Sequence, residues 1–384
     1  MYKRQIFDKK NAEKLFGKNL NISASQLEKF NLCRFSYFCN YGLNVRERQR
    51  AEINPMQYGT IVHYILERFF GEYTKEEYLS LEEDKFQKIV CAYLAEYAVK
   101  YFGEEQLESN SFTYRLKTIL DNVMYLMKHI MEELSQSEFF VADCELKIGE
   151  DIPSYTIVLP DGHKIAVCGS VDRVDIMQRA DITYLRIIDY KTGTKQFKLS
   201  DILYGINLQM LLYLHSIEAS GGDKYGEIVP AGILYMPATV PYISSDSLKS
   251  IDKLPDELNK KLKMNGLLLK DTEIIHGMDK TDAATYIPVK IKAGEPVSST
   301  SLATLAEFGK IFKKVDMLIA EMGKNIYNGN IEAKPLKGGH DSCEYCPYDS
   351  VCAYRQSNPI TCFSVDNKTV IEEITNEING KEEE

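Results

Sequence analysis

A chain of 384 residues is too long for one small hydrophobic core, so two or three structural units are expected. Its apolar fraction of 44% and charged fraction of 27% are typical of a globular protein in water. No apolar run approaches 18 residues and no apolar signal core follows the N-terminus. We therefore expect no membrane span and no secretory leader, which favours a cytoplasmic protein.

The net charge of −10 does not exclude a nucleic-acid partner, because the acids are unevenly distributed. Residues 365–384 hold seven acids against two lysines, and this composition predicts a flexible acidic tail over 363–384. DNA binding requires only a local basic track elsewhere on the surface. Nine cysteines in a cytoplasmic chain favour metal binding, catalysis or core packing over disulfides.

The first third of the chain is predicted to be helical after a polar leader over residues 1–20. Helix starts or spans are indicated by capping residues and helical spacing of apolar residues at Ser25-Gln-Leu-Glu28, Asn54-Pro55, Thr74-Lys-Glu-Glu77 and 111–135. The third of these helices should run to about residue 101. A helical N-terminal region over 21–136 follows, and it carries Cys33 and His63.

From about residue 139 the apolar spacing changes from helical to strand-like. The strand-like segments are 140–148, 155–160, 163–177 and 182–190, with a tight turn at Pro160-Asp-Gly162. A helix over roughly 200–218 and an apolar strand over 231–237 come next. Strands, helix and strand in this order predict a mixed α/β core over 137–237 with helices packed on it.

The remainder of the chain divides into two parts. Residues 238–300 are polar and predict an irregular insertion. Residues 301–362 predict a long helix over 301–328 followed by a cysteine-rich segment.

The segment Arg186-Ile-Ile-Asp189-Tyr190-Lys191-Thr-Gly193 places an acid and an amine on one face of a strand, because side chains alternate. These residues alone favour an ion pair at the strand end, with a metal ligand beside a catalytic lysine as the alternative. Asp172 lies in the preceding strand, and antiparallel pairing through 178–181 would bring both carboxylates together. Such acids suit Mg²⁺ and phosphodiester hydrolysis, although a solvated strand face explains Asp172, Arg173 and Asp175 as well.

Two weaker signals lie on predicted helices. Gln209 and Tyr213 are four residues apart and share one helical face, where an amide and a phenol can contact phosphates or bases. Alone they are an ordinary surface pair. His63 lies between Ile61 and Ile65, which favours a core histidine, with a metal ligand as the alternative.

The strongest signal by spacing is Cys343-x2-Cys346-x5-Cys352. Three thiols require a fourth ligand for Zn²⁺ or a [4Fe–4S] cluster, and Cys33 and Cys39 are the candidates. Since both lie at the opposite end of the chain, the metal would join the N- and C-terminal segments.

Six motifs resemble, in sequence and in order, those of the RecB-like PD-(D/E)XK nucleases: SQLEKFNLCRFSYF, GTIVH, GSVDR, IIDYKTG, QMLLY and CEYCPYDSVC. Residues from about 22 to 352 therefore resemble that superfamily, and within it the iron–sulfur nuclease domains of the AddB family of bacterial helicase–deoxyribonucleases. The resemblance implies a restriction-endonuclease-like core, with a mixed central sheet flanked by helices, a helical N-terminal region and a C-terminal cysteine-cluster segment.

The resemblance also implies a catalytic site. Asp172 and Asp189 would bind Mg²⁺ or Mn²⁺, with Val171-Asp172 in place of the family's Pro-Asp, and Lys191 would be the catalytic lysine. His63 and the Tyr190 carbonyl would be further metal ligands. Glu145 matches an acid that is often found in the strand before the hairpin.

Roles outside the catalytic site follow from the same resemblance. Gln209 and Tyr213 match a motif linked to the DNA path. The ligands of a [4Fe–4S] cluster would be Cys33, Cys343, Cys346 and Cys352. Cys39 is left out because Cys33 is the cysteine followed by the family's aromatic pair, Phe35 and Tyr37.

The function implied by the resemblance is cleavage of DNA ends and single strands in double-strand-break repair, beside an AddA-type helicase–nuclease partner. The sequence contains no G-x4-G-K-[ST] motif, so no ATP site is expected, and we expect a C-terminal piece of a larger subunit. The alternatives are a stand-alone Cas4-like exonuclease, a catalytically inactive DNA-end-binding module and a zinc-containing protein of another function.

Overall fold

The structure is a computed structural model that describes residues 5–6, 8–46, 55–193, 196–241, 254–298, 300–352, 354 and 359–382. Its architecture is mixed α/β, with a six-stranded central sheet flanked by helices, so the predicted fold class is confirmed. Among the described helices, none is both long enough and apolar enough to span a membrane.

The α-helices in the described ranges are α1 (Lys9–Phe16), α2 (Ala24–Leu32), α3 (Arg34–Tyr37), α4 (Pro55–Glu72), α5 (Lys75–Leu79), α6 (Glu83–Phe102), α7 (Glu104–Leu107), α8 (Asn110–Ser135), α9 (Gln209–Ser220), α10 (Gly222–Tyr225), α11 (Leu254–Leu262), α12 (Thr272–Met278), α13 (Leu305–Tyr327), α14 (Asp349–Cys352) and α15 (Asn367–Glu382). A π-helical turn (Phe38–Gly42) and a 3₁₀ turn (Leu199–Tyr204) supplement them.

The β-strands in the same ranges are β1 (Asn19–Ile22), β2 (Phe140–Ile148), β3 (Thr156–Val158), β4 (Lys164–Val167), β5 (Gly169–Arg179), β6 (Ile182–Lys191), β7 (Glu227–Pro237), β8 (Asn265–Leu269), β9 (Lys290–Lys292), β10 (Glu295–Val297), β11 (Leu302–Ala303), β12 (Leu336–Gly338) and β13 (Ile360–Cys362). The central sheet has the order β11-β8-β7-β6-β5-β2. Its strands β5 and β6 form an antiparallel hairpin, and β6 pairs in parallel with β7.

Capping chemistry explains where several N-terminal helices begin. The Thr74–Glu77 capping box is present, but its helix α5 is short and α6 begins separately at Glu83. The cap of α2 is Ser23 with Gln26, two residues before the predicted Ser25 box. Both alternatives fit the same sequence pattern, because a polar residue followed three positions later by Gln or Glu occurs twice in this stretch.

Two predicted elements of the core have different bounds in the structure. Residues 163–177 are not one strand, because β4 pairs with β1 and β3 in a small separate sheet and the chain enters the central sheet at Gly169. The helix predicted over 200–218 is a 3₁₀ turn followed by α9, which begins only at Gln209. The polar leader over 1–20 supplies α1 and the first residues of β1.

The prediction of an irregular insertion over 238–300 was wrong. Strand β8 joins the central sheet antiparallel to β7, and α11, α12 and the β9–β10 hairpin surround it. Gly232 and Gly266 have positive φ and let the two backbones approach, since a side chain at either position would collide with the neighbouring strand. Residues 242–253 and 299 lie outside the described residues.

Instead of a flexible acidic tail, the described part of 363–384 contains a packed helix. Helix α15 packs on α13, burying Val370, Ile374 and Ile378. Glu377 also pairs with Lys314 of α13. The apolar residues recur every fourth position, a helical period that the acidic composition obscured. Residues 383–384 lie outside the described residues.

Candidate active site

The candidate site lies where the β5–β6 hairpin separates. The paired ladder ends at Arg173 opposite Ile188, and Asp172 and Asp189 follow immediately on the two strands. The backbone N–H of Tyr190 donates a hydrogen bond of 2.9 Å to Asp172 Oδ2 in place of the next ladder bond. The sheet therefore places both predicted acids beside an opening between two strands.

Three side chains meet at this opening from three different elements. His63 of α4 is 2.9 Å through Nδ1 from Glu145 Oε1 of β2, and its Nε2 is 3.7 Å from Asp172 Oδ2 of β5. One ligand atom from each residue lies within 4.8 Å of the other two. Ser170 donates a hydrogen bond of 2.9 Å to Glu145 Oε2. This close group contains Glu145, for which the sequence analysis offered only the resemblance to an acid often found in this strand.

Glu145 adopts a strained backbone conformation, with φ of 51° inside a strand. A residue other than glycine rarely adopts positive φ, and such residues are frequent at functional sites. The conformation directs the carboxylate toward His63 and Ser170. No sequence pattern indicates it, because strain of this kind depends on the surrounding sheet.

Asp189 and Lys191 form an ion pair on the same face of β6, as the alternation of side chains predicted. Gln209 at the start of α9 donates a hydrogen bond of 3.2 Å from Nε2 to Asp189 Oδ1. The Lys191 ammonium lies 5.9 Å from the centre of the Tyr235 ring. The ion-pair interpretation is therefore confirmed, whereas the catalytic role of Lys191 stays a prediction that this position beside the acids allows.

Burial and charge together perturb the protonation of the acids. Burial, followed by the neighbouring Asp189 carboxylate, raises the pKa of Asp172 to about 7. Burial alone would lower the pKa of His63, but the hydrogen bond to Glu145 and the nearby acids raise it overall. Burial acts to raise the pKa of Glu145, but its hydrogen bonds to His63 and Ser170 lower it overall. Crowded buried carboxylates of this kind favour a cation between them.

The donor set fits a hard divalent cation. Carboxylate oxygens dominate it, and oxygen is the ligand that Mg²⁺ and Mn²⁺ prefer. Glu145 holds the His63 ring through Nδ1 and leaves Nε2 directed at Asp172, as the partners of metal-binding histidines do. Because N–H and C=O of one strand residue point to the same edge, the Tyr190 carbonyl faces the opening as its N–H does.

A buried charge network lies beside the acids on the same strands. Arg173 is bidentate with Asp175 at 2.6 Å, and Arg186 is 2.9 Å from Asp175 and 2.6 Å from Glu133. These four residues are fully buried. The alternative of a solvated face for Arg173 and Asp175 was therefore wrong. Sequence reasoning missed Arg186 and Glu133 because their partners lie 40 or more residues away, or across a hairpin.

Tyr213, which the resemblance links to the DNA path, lies in the interior of the protein. Its side chain is buried, it accepts a hydrogen bond from the Ala24 backbone, and burial raises its pKa to about 12. The phenol packs so closely on Gly169 that any side chain there would collide with it. In this structure Tyr213 supports the start of β5, whereas its contact with DNA stays a prediction. Gln209, four residues earlier, contacts Asp189 directly.

The cysteine segment lies against the start of α3. Burial raises the pKa of the Cys33 thiol, and the nearby thiols of Cys352 and Cys346 raise it further. Lys337 donates to Cys343 and so acts against the effect of burial on the pKa of that thiol. Residues from both ends of the chain thus come together, as sequence spacing suggested.

Two further contacts define this region. Tyr348 donates a hydrogen bond to the Val45 carbonyl at 2.8 Å, tying the C-terminal segment to the N-terminal one. Cys39 lies in the π-helical turn and is buried, with its carbonyl accepting from Val45. Among the described residues, the possible metal ligands that lie within 4.8 Å of one another are those of the His63 group, and the four cysteines do not form such a group. Their binding of an iron–sulfur cluster or zinc therefore stays a prediction.

A cleft of about 740 Å³ opens over the site. Its lining includes residues of the site itself, namely His63, Glu145, Ser170, Tyr190 and Lys191. Tyrosines of α4 and α6 form another part of its wall. Other cavities of similar volume on the surface hold none of the predicted site residues.

A mixed sheet with paired acids and a lysine at a strand opening is the arrangement of a class of nucleases. The model of the PD-(D/E)XK nuclease superfamily matches residues 21–353, and the chain belongs to this superfamily.

Individual proteins that are similar to the chain are more specific than the superfamily. The chain is 34% identical to the B subunit of the ATP-dependent helicase/deoxyribonuclease of Thermoanaerobacter sp. (strain X514) over 354 residues, 89% of this chain and 30% of that protein. It is 34% identical to the protein of the same name from Clostridium kluyveri (strain NBRC 12016) over 397 residues, 99% of this chain and 34% of that protein. The chain thus spans about a third of the length of these relatives.

Proposed function

We propose that the chain is a Mg²⁺- or Mn²⁺-dependent deoxyribonuclease that hydrolyses phosphodiester bonds at DNA ends and in single strands. One observation carries the proposal: His63, Glu145 and Asp172 meet at ligand spacing beside the Asp189–Lys191 pair. Membership of the nuclease superfamily supports it.

The residues of the site would have distinct roles. His63, Asp172, Asp189 and the Tyr190 carbonyl would hold the cation, with Glu145 orienting the His63 ring. A bound cation would supply Lewis-acid chemistry, polarising the phosphoryl group and easing deprotonation of the attacking water. Lys191 projects beside the same acids, where its ammonium can stabilise negative charge that develops on the phosphate. Gln209 keeps Asp189 in place.

We further propose that Cys33, Cys343, Cys346 and Cys352 hold a [4Fe–4S] cluster that joins the two ends of the chain. The proximity of the Cys33 thiol to those of Cys346 and Cys352 supports this. Protein purified without oxygen should be brown, with a broad visible absorption that Cys343→Ser removes. The control is Ser350→Ala, an exposed position in the same segment, which should keep the absorption. A colourless wild type that contains zinc would contradict the proposal.

The names of the relatives support a biological setting. The B subunit of a helicase/deoxyribonuclease implies a second subunit, and we propose an AddA-type partner, DNA-end processing during recombinational repair and action in the cytoplasm. A stand-alone Cas4-like exonuclease is less favoured, because the similarity to these relatives covers most of the chain. An inactive DNA-end-binding module is less favoured, because the acids and the lysine are present and meet.

Nuclease activity is tested with linear and single-stranded DNA, in MgCl₂ and in EDTA. The comparison is between wild type, Asp189→Asn and Asp181→Asn. Asp181 is an exposed acid in the turn of the same hairpin, so its variant controls for loss of a carboxylate from this element. We expect Mg²⁺-dependent cleavage by wild type and Asp181→Asn and none by Asp189→Asn. Cleavage that persists in Asp189→Asn would overturn the assigned site.

A further inference from the structure

Three tyrosines form a continuous row on the helices beside the site. Tyr64 of α4 lies next to His63 in the sequence, and its ring centre is 5.2 Å from that of Tyr97 of α6. Tyr97 is 4.4 Å from Tyr101, one helical turn further along α6, with the rings tilted by 35°. Tyr97 is buried, whereas Tyr101 is 55% exposed. The row therefore has a buried base and an open end.

This row belongs to the same cleft as the catalytic groups. Tyr64, Tyr97 and Tyr101 line it together with His63 and Lys191. The fold needs the packing of Tyr97, but packing does not account for a large aromatic ring held open to water at the rim. The exposed face of an aromatic ring in such a cleft can stack on a planar group of a ligand.

The charges near the row suit a phosphate backbone only in part. The Lys100 ammonium lies 5.1 Å from the centre of the Tyr101 ring and 5.9 Å from that of Tyr64, and Lys147 also lines the cleft. Glu67 lines the cleft as well, so its wall is not uniformly basic. This wall therefore offers a ligand aromatic rings for stacking and two lysines for adjacent phosphates.

We propose that Tyr101 is a stacking platform for one unpaired base of a single DNA strand whose scissile phosphate lies at the His63–Asp172 site of the same cleft. The inference rests on the proposed function and names the form of substrate that this site accepts. A base within a duplex has both faces covered by its neighbours, so only an unpaired base can offer its face to the ring. Such stacking tolerates any sequence, because every base has a π-face.

The test uses a single-stranded oligonucleotide and a blunt duplex of the same sequence, with KM and kcat measured for each variant. Tyr101→Ala should raise KM for the single strand by about 5- to 150-fold, which corresponds to the roughly 1–3 kcal/mol of one stacked base. Its kcat should change little, because the ring lies outside the reacting groups. Tyr101→Phe keeps the ring and should behave as wild type.

Tyr114→Ala is the matched control. Tyr114 is 73% exposed on α8 and is absent from the lining of the cleft, so its removal should leave KM unchanged. Thermal unfolding of all three variants shows whether each is folded, and we expect exposed positions to tolerate substitution.

A substrate series identifies the stacked base. A single abasic nucleotide is moved along the oligonucleotide, and at one position it should raise KM for wild type as much as Tyr101→Ala does. At that position the abasic substrate should cause no further loss in Tyr101→Ala, because ring and base act as one pair. Independent, additive losses would overturn the inference.

The remaining outcomes separate the two proposals. If wild type cleaves and Tyr101→Ala has an unchanged KM for the single strand, the stacking inference is overturned and the proposed function stands. An equal rise in KM for the single strand and the blunt duplex would also overturn it. If wild type cleaves neither substrate with Mg²⁺, the proposed function fails and this inference fails with it.

Discussion

The backbone N–H of Tyr190 donates a 2.9 Å hydrogen bond to the Asp172 side chain, at the point where the β5–β6 ladder ends. At this point β6 thus donates a hydrogen bond to a side chain of β5 instead of to its backbone. This exchange opens the edge of the sheet and fixes the Asp172 carboxylate beside Asp189 and His63. This one hydrogen bond therefore accounts both for the opening between β5 and β6 and for the position of the Asp172 carboxylate.

The first prediction concerns Asp172→Asn in the absence of a metal. The variant should be more stable than wild type by an amount on the order of 1–3 kcal/mol, because it removes one of two adjacent buried carboxylates. The amide oxygen can still accept from the Tyr190 N–H. Thermal unfolding in EDTA at pH 8 measures the difference.

The same variant should lose its response to metal. MgCl₂ should raise the Tm of wild type, since a ligand that binds only the folded state stabilises it. Asp172→Asn should show little or no such rise, whereas Asp181→Asn should respond as wild type does. An undiminished Mg²⁺ response in Asp172→Asn would contradict the role of this carboxylate.

A second prediction separates the backbone strain at Glu145 from the role of its carboxylate in orienting His63. Glu145→Ala and Glu145→Gly both remove the carboxylate, and both should weaken Mg²⁺-dependent stabilisation. Because φ is 51°, the glycine variant should be the more stable by about 1 kcal/mol. Urea unfolding of the two variants in EDTA gives the comparison, and an alanine variant as stable as the glycine variant would show that the conformation is not strained.

The sequence predicts the relative positions of Asp189 and Lys191 because that prediction depends only on neighbouring residues of one strand. Alternation along β6 alone places Asp189 and Lys191 on one face, and the ion pair between them agrees with it. Glu145 could be proposed only by resemblance, since its approach to His63 depends on a positive φ within a strand. That conformation leaves no mark in the residue sequence.

The failures of sequence reasoning have a common physical origin in tertiary contacts. Strand β8 has only five residues and is recognised as a strand by its pairing with β7, which lies about 30 residues upstream. Helix α15 is acidic overall, and its folding depends on an apolar stripe that packs on α13. In both cases the composition described the exposed residues, while the buried minority determined the structure.

A third prediction concerns the buried charges. Arg186→Met should destabilise the protein by roughly 3–5 kcal/mol, because Glu133 and Asp175 each lose a charged partner while remaining buried. The control is Arg68→Met, which removes exposed pairs with Glu72 and Glu96 and should cost at most about 1 kcal/mol. Urea unfolding measures both, and equal effects would show that burial does not set the cost.

A fourth prediction is a loss of stability at alkaline pH that arises from His215. Its Nε2 is 3.0 Å from Asp316 Oδ1, and its ring stacks on Phe312 at 4.7 Å. Burial alone would lower the pKa of His215, but the hydrogen bonds to Asp316 and Glu218 raise it to about 9. The folded state therefore holds this proton more tightly than the unfolded state, in which the pKa is about 6.5.

The sign of the effect follows from that difference. The stabilisation is fully present below pH 6.5 and is lost as pH rises toward 9, by an amount on the order of 1–3 kcal/mol. Asp316→Asn removes the charge that raises the pKa, so its stability should depend less on pH in this window. Glu321→Gln, an exposed acid one helical turn or more along α13, should keep the wild-type slope. Urea unfolding at pH 6, 7, 8 and 9 tests this, and parallel profiles for wild type and Asp316→Asn would contradict the assignment to His215.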